Sequence, residues 1–137
     1  MKKTILVANI FIIGILTSFG LMANGPELSF SLERLDYGTV YTDEMPETKI
    51  DIEFSNTGTA PLLLSGVRAC CGTRVLSWPR EPLMPGEKGT ITVEYRLAPR
   101  AQRISRTVTV TSNDTKSPTS IFRITGQVEE RAAEPPR

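Results

Sequence analysis

Cys70 and Cys71 are adjacent, and they are the only cysteines in the chain. Neighbouring cysteines cannot join distant parts of a fold, so any chemistry they carry is local. Three readings stay open. In the first, one thiol packs inward as a small hydrophobe and the other is exposed. In the second, they form a redox pair, either bonded to each other or bonded to another molecule. Bridged cysteines have Cα atoms ~4.4–6.8 Å apart, whereas consecutive Cα atoms lie ~3.8 Å apart across a trans peptide. A bond between them is therefore strained and easily reduced. In the third, the thiols hold a soft ion such as Cu(I), with the thioether of Met84 or Met45 as a further ligand. That reading requires residues 70–72 to form a turn, because neighbouring side chains of a strand point to opposite faces.

Other chemistries are excluded or left without residues. The chain has no histidine, which removes Ser-His-Asp and Cys-His sites and the usual zinc sets. Acidic pairs such as Asp43/Glu44 and Glu129/Glu130 fall in turns or in the C-terminal tail and read as solvated charge. No glycine-rich loop follows a strand and opens a helix. No catalytic residue and no cofactor are expected, and the chain reads as a non-enzyme.

The elements that must position the thiols are strands. Ile50, Ile52 and Phe54 alternate with polar residues, as do Ile91, Val93, Tyr95 and Leu97, then Val108 and Val110. A period of two suits strands with one buried and one wet face. Turn residues interrupt these runs at Asn56-Thr57-Gly58, Ser65-Gly66, Met84-Pro85-Gly86, Ala98-Pro99-Arg100 and Ser112-Asn113-Asp114. The expected strands lie near 28–33, 36–41, 47–56, 61–69, 73–77, 88–97, 103–112 and 119–128, with one of the first two only a partial edge. About seven short antiparallel strands imply an all-β, immunoglobulin-like sandwich. The Cys…Trp…Cys core of antibody domains is absent, and Trp78 is expected to cap one end of the core.

The ends read differently. Met1-Lys2-Lys3, the apolar stretch from Ile5 to Leu16 and the small residues before Asn24 have the layout of a signal peptide, with cleavage expected after Ala23 or, second, after Gly20. An uncleaved anchor is the alternative, and the only membrane contact expected is through residues 1–23. The domain is expected at 24–128 and a flexible tail at 129–137. Export to the periplasm or beyond follows from the leader. Without Lys2 and Lys3 the net charge is about −1, which argues against nucleic acid as a partner. Arg96, Arg100, Arg103 and Arg106 gather around one turn and the next strand. They read either as edge-protecting charge or as a docking patch for an acidic protein or envelope component.

Six segments, taken in order, resemble one known family. They are Leu35-Asp36-Tyr37-Gly38-Thr39-Val40, Phe54-Ser55-Asn56-Thr57-Gly58 with Pro61-Leu62, Ala69-Cys70-Cys71-Gly72-Thr73, Leu83-Met84-Pro85-Gly86-Glu87, Val93-Glu94-Tyr95 and Val110-Thr111-Ser112-Asn113. The pattern is similar to the domain-of-unknown-function family 1573, over about residues 28–128. The resemblance implies an exported bacterial sandwich akin to the immunoglobulin-like domains of major sperm protein type, and it implies no activity. Family members usually carry Cys-Gly-Cys where this chain has Cys70-Cys71-Gly72, so Cys71 occupies the expected glycine's place. The expected function is a non-catalytic binding module of the bacterial envelope, which takes a protein or envelope component through an open sheet edge or the Arg-rich face. A redox or copper-handling protein and a purely structural envelope protein are the alternatives.

Overall fold

Residues 25–132 are described by a computed structural model. Eight strands follow in order: β1 (Leu28–Phe30), β2 (Arg34–Tyr41), β3 (Lys49–Asn56), β4 (Leu64–Ala69), β5 (Thr73–Ser77), β6 (Lys88–Tyr95), β7 (Gln102–Ser112) and β8 (Thr119–Glu129). They form two four-stranded sheets, β1-β3-β6-β5 and β2-β8-β7-β4. The all-β sandwich expected from the alternating runs is the architecture found. The three-residue β1 is the partial edge, and β2 runs parallel to β8 while every other pairing is antiparallel. The signal-peptide segment, expected to be helical, lies outside the described residues. Of the expected tail, Glu129 ends β8, and Arg131 pairs with Asp43 and Glu44 and stacks over Tyr41.

The core is what the period of two dictates. Ile52, Phe54, Ile91, Val93 and Tyr95 from one sheet meet Ile104, Val108, Val110, Ile124 and Val128 from the other, all buried. Trp78 packs partly buried against this core, with Arg80 stacked 3.8 Å above its ring.

One end of the sandwich is sealed by polar staples. Asn56 is buried; its amide donates to the Ala60 and Leu83 carbonyls at 2.7 and 2.9 Å, and its oxygen accepts from the Gly58 amide at 3.0 Å. Asp114, 3% exposed, accepts from the amides of Leu28, Lys116 and Ser117. Buried polar groups must find partners, and here they find the loop backbone. Gly58 allows the close approach, since a Cβ there would drive into the Gly25 carbonyl and the Glu27 amide. The Asn-Thr-Gly and Ser-Asn-Asp segments are thus structural clamps.

The sheet edges are blunted. β2, β4 and β5 each carry a register shift, and β1 is too short to pair widely. Bulges and brevity are how sheets avoid edge-to-edge pairing.

Candidate functional site

The opposite end holds the thiols. β4 is the edge of one sheet and β5 the edge of the other. Cys70, Cys71 and Gly72 are the whole connection between them. The Thr73 amide donates to the Cys70 carbonyl at 3.1 Å, closing a four-residue turn. Cys71 has φ 50° and Gly72 φ 73°. Positive φ at both central positions is the pattern of a type I′ turn. Gly72 tolerates this freely; a residue with a Cβ in the left-handed region costs about 1–2 kcal/mol. Cys71 is the only non-glycine in that region among the described residues.

Both cysteines are free thiols, Cys70 partly exposed and Cys71 exposed. Burial pushes the Cys70 thiol up, but hydrogen bonds from Cys71 and from the amide and hydroxyl of Thr107, with the charge of Arg106, outweigh it and hold Cys70 below the usual thiol range. The same bond, with the charge on Cys70, pushes Cys71 up. Of the two thiols, Cys70 is thus the one shifted toward easier deprotonation.

The arginines do not form one patch. Arg96 and Arg100 are exposed in the connection after β6, and Arg103 faces outward on β7. Arg106 shares the parity of Ile104, Val108 and Val110 and turns inward beneath the thiol turn. Its Nη2 donates to the Arg96 carbonyl at 3.3 Å, while its Nε is buried with no partner. Met84 cannot join the cysteines. It adjoins Leu83, whose bridge to Leu62 lies at the stapled end, and the length of β4, about 20 Å at strand rise, separates the two. Met45 packs against the core from the β2–β3 connection.

Two residues not singled out as site residues from the sequence complete this end. Thr73 and Tyr95 are ladder partners on β5 and β6. Their hydroxyls, with Arg106 Nε, are the three buried side-chain polar atoms without a partner among the described residues. Tyr95 is 1% exposed. The neighbouring Tyr37 hydroxyl donates instead to the Glu47 carbonyl, at 3.1 Å. Burial first, and Tyr37 next, push the Tyr95 phenol well above its usual range. The inward parity of Arg106 and Tyr95 was the available signal. Thr73 and Tyr95 also help line a groove of about 730 Å³ at this end, together with Thr48, Gly72, Arg74, Glu94, Arg96, Leu97 and Ala98.

The family model described as "Protein of unknown function (DUF1573)" matches residues 28–128. The chain belongs to that family. No curated protein matches the sequence. Solved structures share the DUF1573 fold at low identity. A protein of unknown function from Porphyromonas gingivalis W83 is 20% identical with a TM-score of 0.61, covering 77% of this chain and 48% of that one. The secreted serine protease VesC from Vibrio cholerae is 16% identical with a TM-score of 0.63, over 77% of this chain and 24% of that one. The YadV chaperone is 14% identical with a TM-score of 0.55, over 79% and 55%. The chain thus spans about half the length of the first of these and a quarter of the second. These likenesses establish the sandwich and carry no activity with them. Within the DUF1573 frame, Cys71 stands at the place where the resemblance expects glycine, which its φ of 50° would suit.

Proposed function

We propose that this DUF1573 chain is an exported, non-catalytic interaction module that binds a short acidic segment of an envelope partner at the thiol end of the sandwich. The observation that carries this reading is the groove of about 730 Å³ beside the start of β5, bordered by Arg74, Glu94 and Arg96. Blunted edges limit strand addition to a few residues, so side chains around the groove must supply most of the recognition. Arg74 meets Glu94 at 3.1 Å with both side chains well exposed. Such pairs contribute little, and an incoming carboxylate can replace Glu94 at small cost. Arg96 adds a second exposed cation.

Several features support a role without chemistry. The chain has no histidine. Asp114, the one buried carboxylate among the described residues, is consumed by backbone amides. The near balance of charge is in keeping with a protein partner and not a nucleic acid. Export rests on the leader-like residues 1–23. That a chaperone carries this fold is in keeping with a binding role.

The test is affinity capture from the native envelope with the wild-type chain and with Arg96→Glu. A protein recovered with the first and lost with the second supports the module. The same proteins recovered with both, or none with either, overturn it.

A further inference from the structure

We propose that the bare edge of β3 is a self-association surface, on which a second copy of this chain pairs antiparallel through Lys49, Ile50 and Asp51. The brevity of β1 that blunts one edge also bares part of β3. β1 reaches only as far as the Ser31 amide, which donates to the Glu53 carbonyl at 2.9 Å. The chain then leaves for β2 in the other sheet. The ladder to β6 shows which backbone groups this exposes. The Thr48 carbonyl accepts from the Tyr95 amide at 3.0 Å, and the Asn56 amide donates to the Glu87 carbonyl at 3.0 Å. Even-numbered residues of β3 therefore bond toward β6. Odd-numbered ones bond the other way: Glu53 meets Ser31, and the Thr57 amide meets the Glu27 carbonyl at 2.9 Å. The amides and carbonyls of Lys49 and Asp51 thus point outward, where β3 has no ladder partner among the described residues.

The side chains on this edge are self-complementary. Lys49 and Asp51 are exposed, and Ile50 between them is half-buried against the core. Neither charge is in an ion pair among the described residues. Asp51 accepts from the Thr92 hydroxyl at 2.7 Å. Glu94, opposite Lys49 on β6, is held by Arg74. About a two-fold axis at Ile50, Lys49 of each copy lies opposite the partner's Asp51, and Ile50 lies against the partner's Ile50. Each Lys–Asp position is a hydrogen-bonded pair that exchanges both ladder bonds, and the Ile–Ile position is the closer, non-bonded pair. Opposite charges outside and β-branched side chains inside are the cross-strand pairs that stabilise antiparallel sheets.

The neighbouring registers do not fit. Sliding the partner one way sets Lys49 against Lys49 and Asp51 against Glu47, and like charges directly opposite are destabilising. Sliding it the other way sets Asp51 against Asp51 and drives the partner's Lys49 into the place opposite Glu53 that Ser31 already holds. The favoured register ends with the partner's Thr48 opposite Ile52, beside a cavity of about 270 Å³ that Leu32, Ile52 and Phe122 help line. Residues 48–52 of two copies make an interface far smaller than that of a permanent dimer, so the association is weak and reversible. β6 separates this edge from β5 and Arg74, and the pairing stands independently of the binding role proposed for the groove.

The experiment is sedimentation equilibrium of the chain purified from the envelope, up to about 1 mM, the range in which weak pairing is populated. Asp51→Lys sets lysine against lysine, and Lys49→Asp sets aspartate against aspartate. Each should weaken self-association about tenfold, through two pairs turned from attraction to repulsion. The two variants mixed in equal amounts should associate as the wild type does, because each supplies the charge the other has lost. The double exchange, Lys49→Asp with Asp51→Lys, should also restore association. Both side chains are exposed, so folding is not at stake. A covalent trap reads the same register. In a chain carrying Cys70→Ser and Cys71→Ser, Ile50→Cys brings two thiols together at a non-bonded pair with Cα atoms ~4.5 Å apart, within disulfide range. Oxidation should then yield a linked dimer. A wild type that stays monomeric, association unchanged by either single exchange, no recovery in the mixture or the double exchange, or no linked dimer from Ile50→Cys would each overturn the proposal.

Discussion

The two ends of the sandwich solve the same problem in opposite ways. At the end held by Asn56 and Asp114, the buried side-chain polar atoms are matched to loop backbone. At the end of Thr73, Tyr95 and Arg106, three buried polar atoms have no partner, and a cysteine stands in a left-handed conformation. Unsatisfied polar groups and local strain persist where the surrounding structure holds them in place, and they gather at working sites. The proposed binding module therefore has its scaffold at the stapled end and its binding surface at the thiol end.

The contrast predicts unequal responses to substitution. Asn56→Ala would strand the Gly58 amide and the Ala60 carbonyl, and would leave the Leu83 carbonyl only the Leu62 amide, so it should cost about 3 kcal/mol in urea-induced unfolding. A loss well under 1 kcal/mol would mean the staple is dispensable. Asp114 should show itself through pH. Burial raises its carboxyl, but the amides of Leu28, Ser117 and Lys116 outweigh this and hold it below the ordinary range. Its stabilising contribution is therefore complete above the usual carboxylate range, and is lost as pH falls through the lowered folded value. Asp114→Asn should lose stability at neutral pH and show a flatter acid limb; parallel pH curves for both proteins would contradict this.

Substitutions at the thiol end should run the other way. Cys71→Gly relieves the left-handed strain and should raise stability by about 1 kcal/mol in the same unfolding experiment. A loss there would show that the Cys71 side chain stabilises the fold. Tyr95→Phe removes a buried hydroxyl that has no bond, so it should be neutral or gain up to about 1 kcal/mol. A loss of that size would reveal a partner for the hydroxyl.

The strands were legible because most of their buried positions alternate. Ile50, Ile52 and Phe54 and their partners Val93, Ile91 and Gly89 lie in register as the pattern suggests. The start of β4 was read early because Leu62 is apolar, yet it makes only a single bridge, to Leu83. The parallel β2–β8 pairing left no local mark, since pairing direction depends on where the chain crosses between sheets. At the candidate site, the turn at Cys70-Cys71-Gly72 could be read from glycine and from the strands on either side. The division of the arginines could have been read by extending the parity of Val108 and Val110 back to Arg106. The positive φ at Cys71 could not, because a residue with a Cβ disfavours that region.

The most direct test of the contrast is to place a photo-cross-linking residue at Arg74 in one chain and at Met84 in another, and to irradiate each in the native envelope. Arg74 borders the groove at the thiol end, and Met84 is exposed at the stapled end. A discrete adduct from position 74 and none from position 84 is the predicted result. An adduct from position 84 alone would place the working surface on the wrong end of the molecule and contradict the account.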